Sequence, residues 1–177
     1  YSALETLLNA IGDTLTPAVL CVMQLKNTGA GSPDGGLFTA SQFSHGADVH
    51  AEAPTLLPER GAIEVKSPGD DAQAVAQGEQ VARYLRQYRQ VLVTTLRAFV
   101  LVGLDAQNRP VTLESYTLAE SEADFWQMTA HPRASANRHG ERMAEYLRRV
   151  MLHAAPLATP KALADFLFDD DNAMVRI

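Results

Sequence analysis

The sequence predicts an α/β or α+β layer fold: a central mixed β-sheet flanked by helices, plus a C-terminal helical region. Three observations carry that expectation. Ala62-Ile63-Glu64-Val65-Lys66 alternates strictly, as a half-buried strand does. Residues 72–89 then show helical spacing, with Val75, Ala82 and Leu85 among the inward candidates. Two β-branched, apolar runs follow at 91–95 and 98–104.

The elements follow in order. Leu4, Leu7, Leu8 and Ile11 fall on one face of a first helix over 2–11, with Ser2 as N-cap and Glu5 completing a capping box. Gly12-Asp13 ends it. Val19, Leu20, Val22 and Leu25 mark a strand within 17–25, and the Gly-rich stretch 27–36, with Pro33-Asp34, reads as a loop. Leu37 opens the next strand. Residues 40–59 mix polar, His and Pro content without a period, and are expected to be an irregular insertion between two paired strands. After the strand at 98–104, Asp105-Ala106-Gln107-Asn108 is a turn into an antiparallel strand at 109–116. Helices are expected at 120–128, 137–153 and 160–169, the last capped by Thr159 with Pro160 in its first turn. The division between core and helical extension is placed at 118/119, the extension being expected either to pack on the core as part of one domain or to lead to a missing methyltransferase part.

A chain of 177 residues buries a core without disulfides, and its single cysteine, Cys21, excludes an intramolecular disulfide framework. A reducing, cytoplasmic compartment is expected. No apolar run reaches the roughly 18 residues of a membrane span. The first residue is Tyr1, without a basic leader or an apolar signal core, so a trimmed or processed fragment is expected rather than a secreted protein. The net charge of −6 argues against a histone-like or tail-like nucleic-acid binder. The distribution is uneven, however. From Arg83 to Arg149 there are ten arginines against seven acids, and Arg outnumbers Lys twelve to three overall. Arginine is the better bidentate partner for phosphate, although GC-biased coding gives the same ratio.

The grouping that carries chemistry is Pro33-Asp34, Glu64-Val65-Lys66, and Gln80 with Tyr84. Alternation puts Glu64 and Lys66 on one side of a strand and turns Val65 into the core. Two carboxylates and a lysine converging from adjacent strands suit a hard divalent cation, which takes oxygen ligands, keeps several waters and binds a phosphate. The Val65 carbonyl can join such a site. Lys66 can position or deprotonate a water, or stabilise charge on a transferring phosphoryl group. Gln80 and Tyr84, four apart, share a helical face from which Gln80 can orient a water or Lys66 and Tyr84 can buttress it. Each part alone has an ordinary reading: an exposed cross-strand pair, a turn signal, an amphipathic helix.

In series, these residues resemble the PD-(D/E)xK nuclease superfamily. Asp34 after Pro33 matches its first acid, Glu64 and Lys66 its acid-x-lysine pair, and Gln80-x-x-x-Tyr84 the Gln motif of its RecB-like branch. The resemblance extends to the N-terminal endonuclease domain of single-chain restriction-modification enzymes fused to adenine-specific methyltransferases. There Ala3-Leu4-Glu5-x-Leu7-Leu8, Gly31-Ser32-Pro33-Asp34, Gly61 to Lys66, Gln80 to Leu85 and Val91 to Phe99 find counterparts, covering roughly residues 3–104. What the resemblance implies is a restriction-endonuclease-like core over 1–118. It further implies a Mg²⁺- or Mn²⁺-dependent, type II-like cleavage of double-stranded DNA. Asp34, Glu64, Lys66 and Gln80 would be catalytic, with Asp34, Glu64 and the Val65 carbonyl on the metal.

The long gap from Asp34 to Glu64 leaves Asp48 as an alternative first acid. Arg83, Arg86, Arg89 and Arg97 are candidates for DNA contact. A methyltransferase and target-recognition region would lie elsewhere in the parent chain, since no Asn-Pro-Pro-Tyr-type loop is present, and double-strand cleavage would call for a homodimer. No membrane partner is expected. A catalytically silent nuclease-fold module that binds DNA or a protein is the alternative, and an unrelated α/β structural domain a third reading. His45, His50, His131, His139 and His153 lack zinc-like spacing. Met143, Leu147, Val150 and Met151 form a helical stripe expected in the core.

Overall fold

A six-stranded mixed sheet in the order β1-β2-β3-β4-β5-β6 organises the chain. The computed structural model describes residues 1–25, 31–46 and 48–153. The strands are β1 (Val19–Met23), β2 (Gly35–Thr39), β3 (Ala62–Val65), β4 (Val91–Thr94), β5 (Ala98–Leu104) and β6 (Pro110–Thr117). Neighbours are antiparallel except β3 and β4, which are parallel. A parallel pair needs a crossover, and α3 (Ala72–Ala76) with α4 (Glu79–Tyr88) supplies it.

Helices cover both faces because alternate residues of the strands are apolar on both sides. On one face Cys21, Leu37, Ile63, Leu92, Phe99 and Leu101 pack against α1 (Ser2–Gly12) and α6 (Pro132–Leu152). Met143, Tyr146, Leu147, Val150 and Met151 of α6 are all buried there, so the C-terminal helical region shares its core with the first helix. On the other face Ala62, Val91, Val93, Val100 and Val102 meet Val81, Tyr84, Leu85 and Tyr88 of α4.

Several elements differ from the sequence expectation. Helix 72–89 is two helices. Asp71 caps α3 by accepting from the Gln73 and Ala74 amides, and Gly78 is the N-cap of α4. The insertion at 40–59 is ordered around a small core of its own. Turns of 3₁₀ helix at Ala40–Gln42 and Ala53–Thr55 flank α2 (Val49–Glu52), and Phe43, Val49 and Leu56 pack on Val22, Leu25, Phe38 and Ala53. It covers the sides of β1 and β2 that carry Val22 and Phe38. Ser2 is the first residue of α1 rather than its cap, and the Glu5 carboxylate accepts from the Met23 amide at 3.1 Å instead of closing a capping box. Two helices close the described chain, α5 (Glu122–Thr129) and α6, which begins earlier than the periodicity suggested; the helix expected at 160–169 lies outside the described residues.

Because Leu147 has no exposed surface and touches the core shared by α1 and the sheet, Leu147→Ala is expected to cost about 2–5 kcal/mol of stability. Urea unfolding should read this as a lower midpoint at unchanged slope. A loss near zero would mean that α6 is not integral to the fold.

Candidate functional site

The site forms where the pairing of β2 with β3 runs out. That ladder contains Gly35 opposite Ile63 and Gly36 opposite Ala62. One further step of the same antiparallel register sets Asp34 across from Glu64, and residues directly opposite project from one face. The Val65 amide, which a longer β2 would have satisfied, donates to Asp34 Oδ2 at 2.8 Å. Asp34 Oδ1 accepts from the Tyr1 hydroxyl at 2.9 Å. Both oxygens of Asp34 are thereby oriented.

The approach to Asp34 is tied to α4. Tyr84 donates its hydroxyl to the Ser32 carbonyl at 3.0 Å and accepts from Gln80 Nε2 at 3.0 Å. Gly31 makes this contact possible. Its φ is +114°, and a Cβ there would lie 3.3 Å from the Tyr84 ring. The Gly31-Ser32-Pro33-Asp34 segment and the Gln80-x-x-x-Tyr84 face are thus parts of one structure.

Glu64 is 1% exposed and forms an ion pair through Oε1 with Lys66 Nζ. Its Oε2 is buried with no hydrogen-bond partner among the described residues. Burial pushes the Glu64 carboxyl above its ordinary range, the Asp34 charge adds to that, and Lys66 and the nearby Gln80 amide work against it. Lys66 is held protonated above its ordinary range, first by its hydrogen bond to Glu64 and then by the Glu64 and Asp34 charges, against burial. Burial likewise raises the Tyr84 hydroxyl. The hydrogen bond to Asp34 raises Tyr1.

Asp34, Glu64, Lys66, Gln80 and Tyr84 are therefore neighbours, with Val65 between the acid and the lysine. Asp48 is not among them. It is exposed, caps α2 by accepting from the His50 amide at 3.0 Å, and is absent from the charges that act on Glu64 and Lys66. No protein family model, curated protein or solved structure matches this chain.

Arginines part company. Arg83 and Arg86 are exposed on α4, and Arg89 ends that helix in a left-handed conformation. Arg97 is committed elsewhere. Its guanidinium donates to the carbonyls of Pro68, Asp70, Ala119 and Glu120, tying the loop after Lys66 to the segment before α5. These bonds occupy the fork that a phosphate would need. A cavity of about 130 Å³ lined by Asp71, Arg97, Ser115, Thr117 and Glu120 shares no residue with the acid–lysine cluster.

Among the described residues, no three His, Cys, Asp or Glu side chains gather to hold a metal. The cluster offers two carboxylates. That excludes an all-protein cage among those residues but suits Mg²⁺, which is usually held by one or two carboxylates with waters and substrate phosphate completing its shell. Glu64 Oε2, buried beside a second carboxylate and without a hydrogen-bond partner among the described residues although the Gln80 amide is close enough to favour the charged form, is the feature that fits a cation. Tyr1 and the role of Arg97 had no signal in the sequence, because both act through contacts between distant segments.

Two substitutions should move Glu64 in opposite directions. Lys66→Met removes the group that favours its ionised form and should raise its titration further; Asp34→Asn removes a like charge and should lower it. Carboxyl ¹³C shifts against pH read both, and a Glu64 unmoved in either variant would leave burial as the sole cause. The linkage has a definite sign. With the folded value raised above 4.5, this group's stabilising contribution is complete below about 4.5 and is lost as pH rises through the folded value. Urea unfolding across that window should follow it.

Proposed function

We propose that the Asp34–Glu64–Lys66 cluster is the active site of a divalent-metal-dependent DNA endonuclease built on a restriction-endonuclease-like core. The observation that carries this reading is the meeting of three sequence segments far apart in the chain. Asp34 sits opposite Glu64 and bonds the Val65 amide, Glu64 pairs with Lys66, and Tyr84 fastens the Ser32 carbonyl beside them. An exposed cross-strand pair would explain none of these links.

Asp34 and Glu64 would hold the ion, with the Val65 carbonyl as a further oxygen. A bound Mg²⁺ or Mn²⁺ would supply Lewis-acid stabilisation of phosphoryl oxygens. The remaining roles belong to the chain. Lys66 carries three donors, and those not used on Glu64 can hold a water or a phosphoryl oxygen. Gln80, aligned by Tyr84, lends an amide at the same edge. Arg83 and Arg86 present exposed charge on the same helix, suited to phosphate contacts outside the reacting centre. The target would be double-stranded DNA, with sequence recognition and methylation supplied by other parts of a restriction-modification enzyme, and a second copy needed to cut both strands.

A second reading has its own support. Both Asp34 oxygens already accept hydrogen bonds, Glu64 is closed in by its pair with Lys66, and among the described residues two carboxylates meet. A self-satisfied cluster of this kind suits a catalytically silent nuclease-fold module that binds DNA or a protein. Among the described residues, where no three acid, His or Cys side chains gather, this second reading has the better support, and the enzyme reading rests on the meeting of Asp34, Glu64 and Lys66.

Full-length parent incubated with Mg²⁺ or Mn²⁺ is expected to cleave double-stranded DNA, and chelation to abolish the cutting. Glu64→Ala and Lys66→Ala should each lower the rate ~10²–10³-fold, the usual loss for one well-aimed stabilising group. Cleavage at the wild-type rate with Lys66 replaced would overturn the mechanism. Metal-independent DNA binding without cleavage, unchanged in both variants, would select the silent module.

A further inference from the structure

We infer that Tyr1 is a positioning residue of this site: its hydroxyl fixes the Asp34 carboxylate in the orientation that takes the divalent cation. The inference rests on the metal-site reading above. Its basis is a contact that no local feature of the sequence explains. Tyr1 Oη donates to Asp34 Oδ1 at 2.9 Å across 33 residues of chain, while the Val65 amide holds Oδ2 at 2.8 Å. Two donors, one on each oxygen, define the plane of the carboxylate. Each oxygen keeps a lone pair for a cation, because a carboxylate oxygen accepts at two sites.

The placement of Tyr1 is built rather than incidental. Leu4, Leu8 and Ile11 bury α1 against the sheet. Asn9 then clamps the helix to β1 with two bonds to Cys21, Nδ2 to its carbonyl at 3.0 Å and the Cys21 amide to Oδ1 at 2.7 Å. Glu5 adds a third, accepting from the Met23 amide. These fix where the helix begins, and Tyr1 is its N-cap residue. The ring is 57% exposed, so burial of the aromatic surface is not what keeps it there. What the geometry selects is the hydroxyl.

Outer-shell partners that orient a ligating group are typically worth 10–100-fold in metal affinity. An exposed tyrosine belongs at the low end of that range. The test measures Mn²⁺ binding by titration calorimetry on the full chain, for wild type and Tyr1→Phe, which keeps the ring and the start of α1. Thermal melting in EDTA is followed in parallel. The expected result is a dissociation constant about tenfold weaker, with the metal-free melting temperature within about 2 °C of wild type. An affinity unchanged within twofold would overturn the inference. So would a loss of affinity accompanied by a larger fall in melting temperature, since that is what a merely structural tyrosine produces. Failure of wild type itself to bind Mn²⁺ would remove the metal site and the inference with it, an outcome distinct from the other two.

Discussion

The hydrogen bond from the Val65 amide to the Asp34 carboxylate is where sheet geometry becomes site geometry. The β2–β3 register ends at Gly35 opposite Ile63, and the strand carrying Glu64 continues past that point with backbone partners in β4 but none from β2. A backbone amide there must find an acceptor, because an unpaired buried amide costs about as much as a lost hydrogen bond. Asp34 provides it from a loop. The same interaction therefore caps the ladder and sets one carboxylate directly across from another. Without it, Asp34 would be an ordinary turn residue in a Gly-rich segment. The Ser32–Tyr84 bond and the Tyr1 contact act around this point by holding the loop from either side.

The electrostatics follow from how deeply Glu64 lies. Removing a carboxylate from water is unfavourable, and a lysine two residues along the same strand compensates only in part. Such a pair adds little to stability, and two well-packed apolar residues would serve the fold as well or better. The arrangement leaves one oxygen of Glu64 without a partner and a second negative group alongside. A cluster like this lowers its free energy by admitting positive charge, whereas an apolar replacement would have no such capacity.

How far the sequence could be read depended on whether the interactions were local. The alternation of Ala62 to Lys66 and the apolar runs around Val91 and Ala98 carry their own period, so these strands and their order were legible. The convergence of Asp34 with Glu64 and of Gln80 with Tyr84 was also visible as a pattern, though not as geometry. What escaped were choices decided elsewhere in the molecule. Gly78 splits one helical period into two helices. The segment 40–59 has no period because it wraps and buries the sides of β1 and β2 that carry Val22 and Phe38 rather than forming a layer. Ser2 and Glu5 spell a capping box, but the Met23 amide competes for Glu5 and wins. Arg97 looks like a phosphate ligand until the four carbonyls it ties together are seen.

The helical region at the C-terminal end bears on the site by a route that crosses the sheet. α6 does not touch the acid–lysine cluster, which lies on the face that α4 covers. Its Leu147, Val150 and Met151 instead share a core with Leu4, Leu8 and Ile11 of α1. α1 in turn delivers Tyr1 to Asp34 and Glu5 to β1. Well-packed cores respond to small shifts as units, since few voids exist to absorb them. Ile63 belongs to the same core and Val65 packs against it, so α6 backs both the helix that presents Tyr1 and the strand that carries Glu64 and Lys66. Separating the helical region from residues 1–118 would divide this shared core, because the packing of the first helix is completed by the last described one.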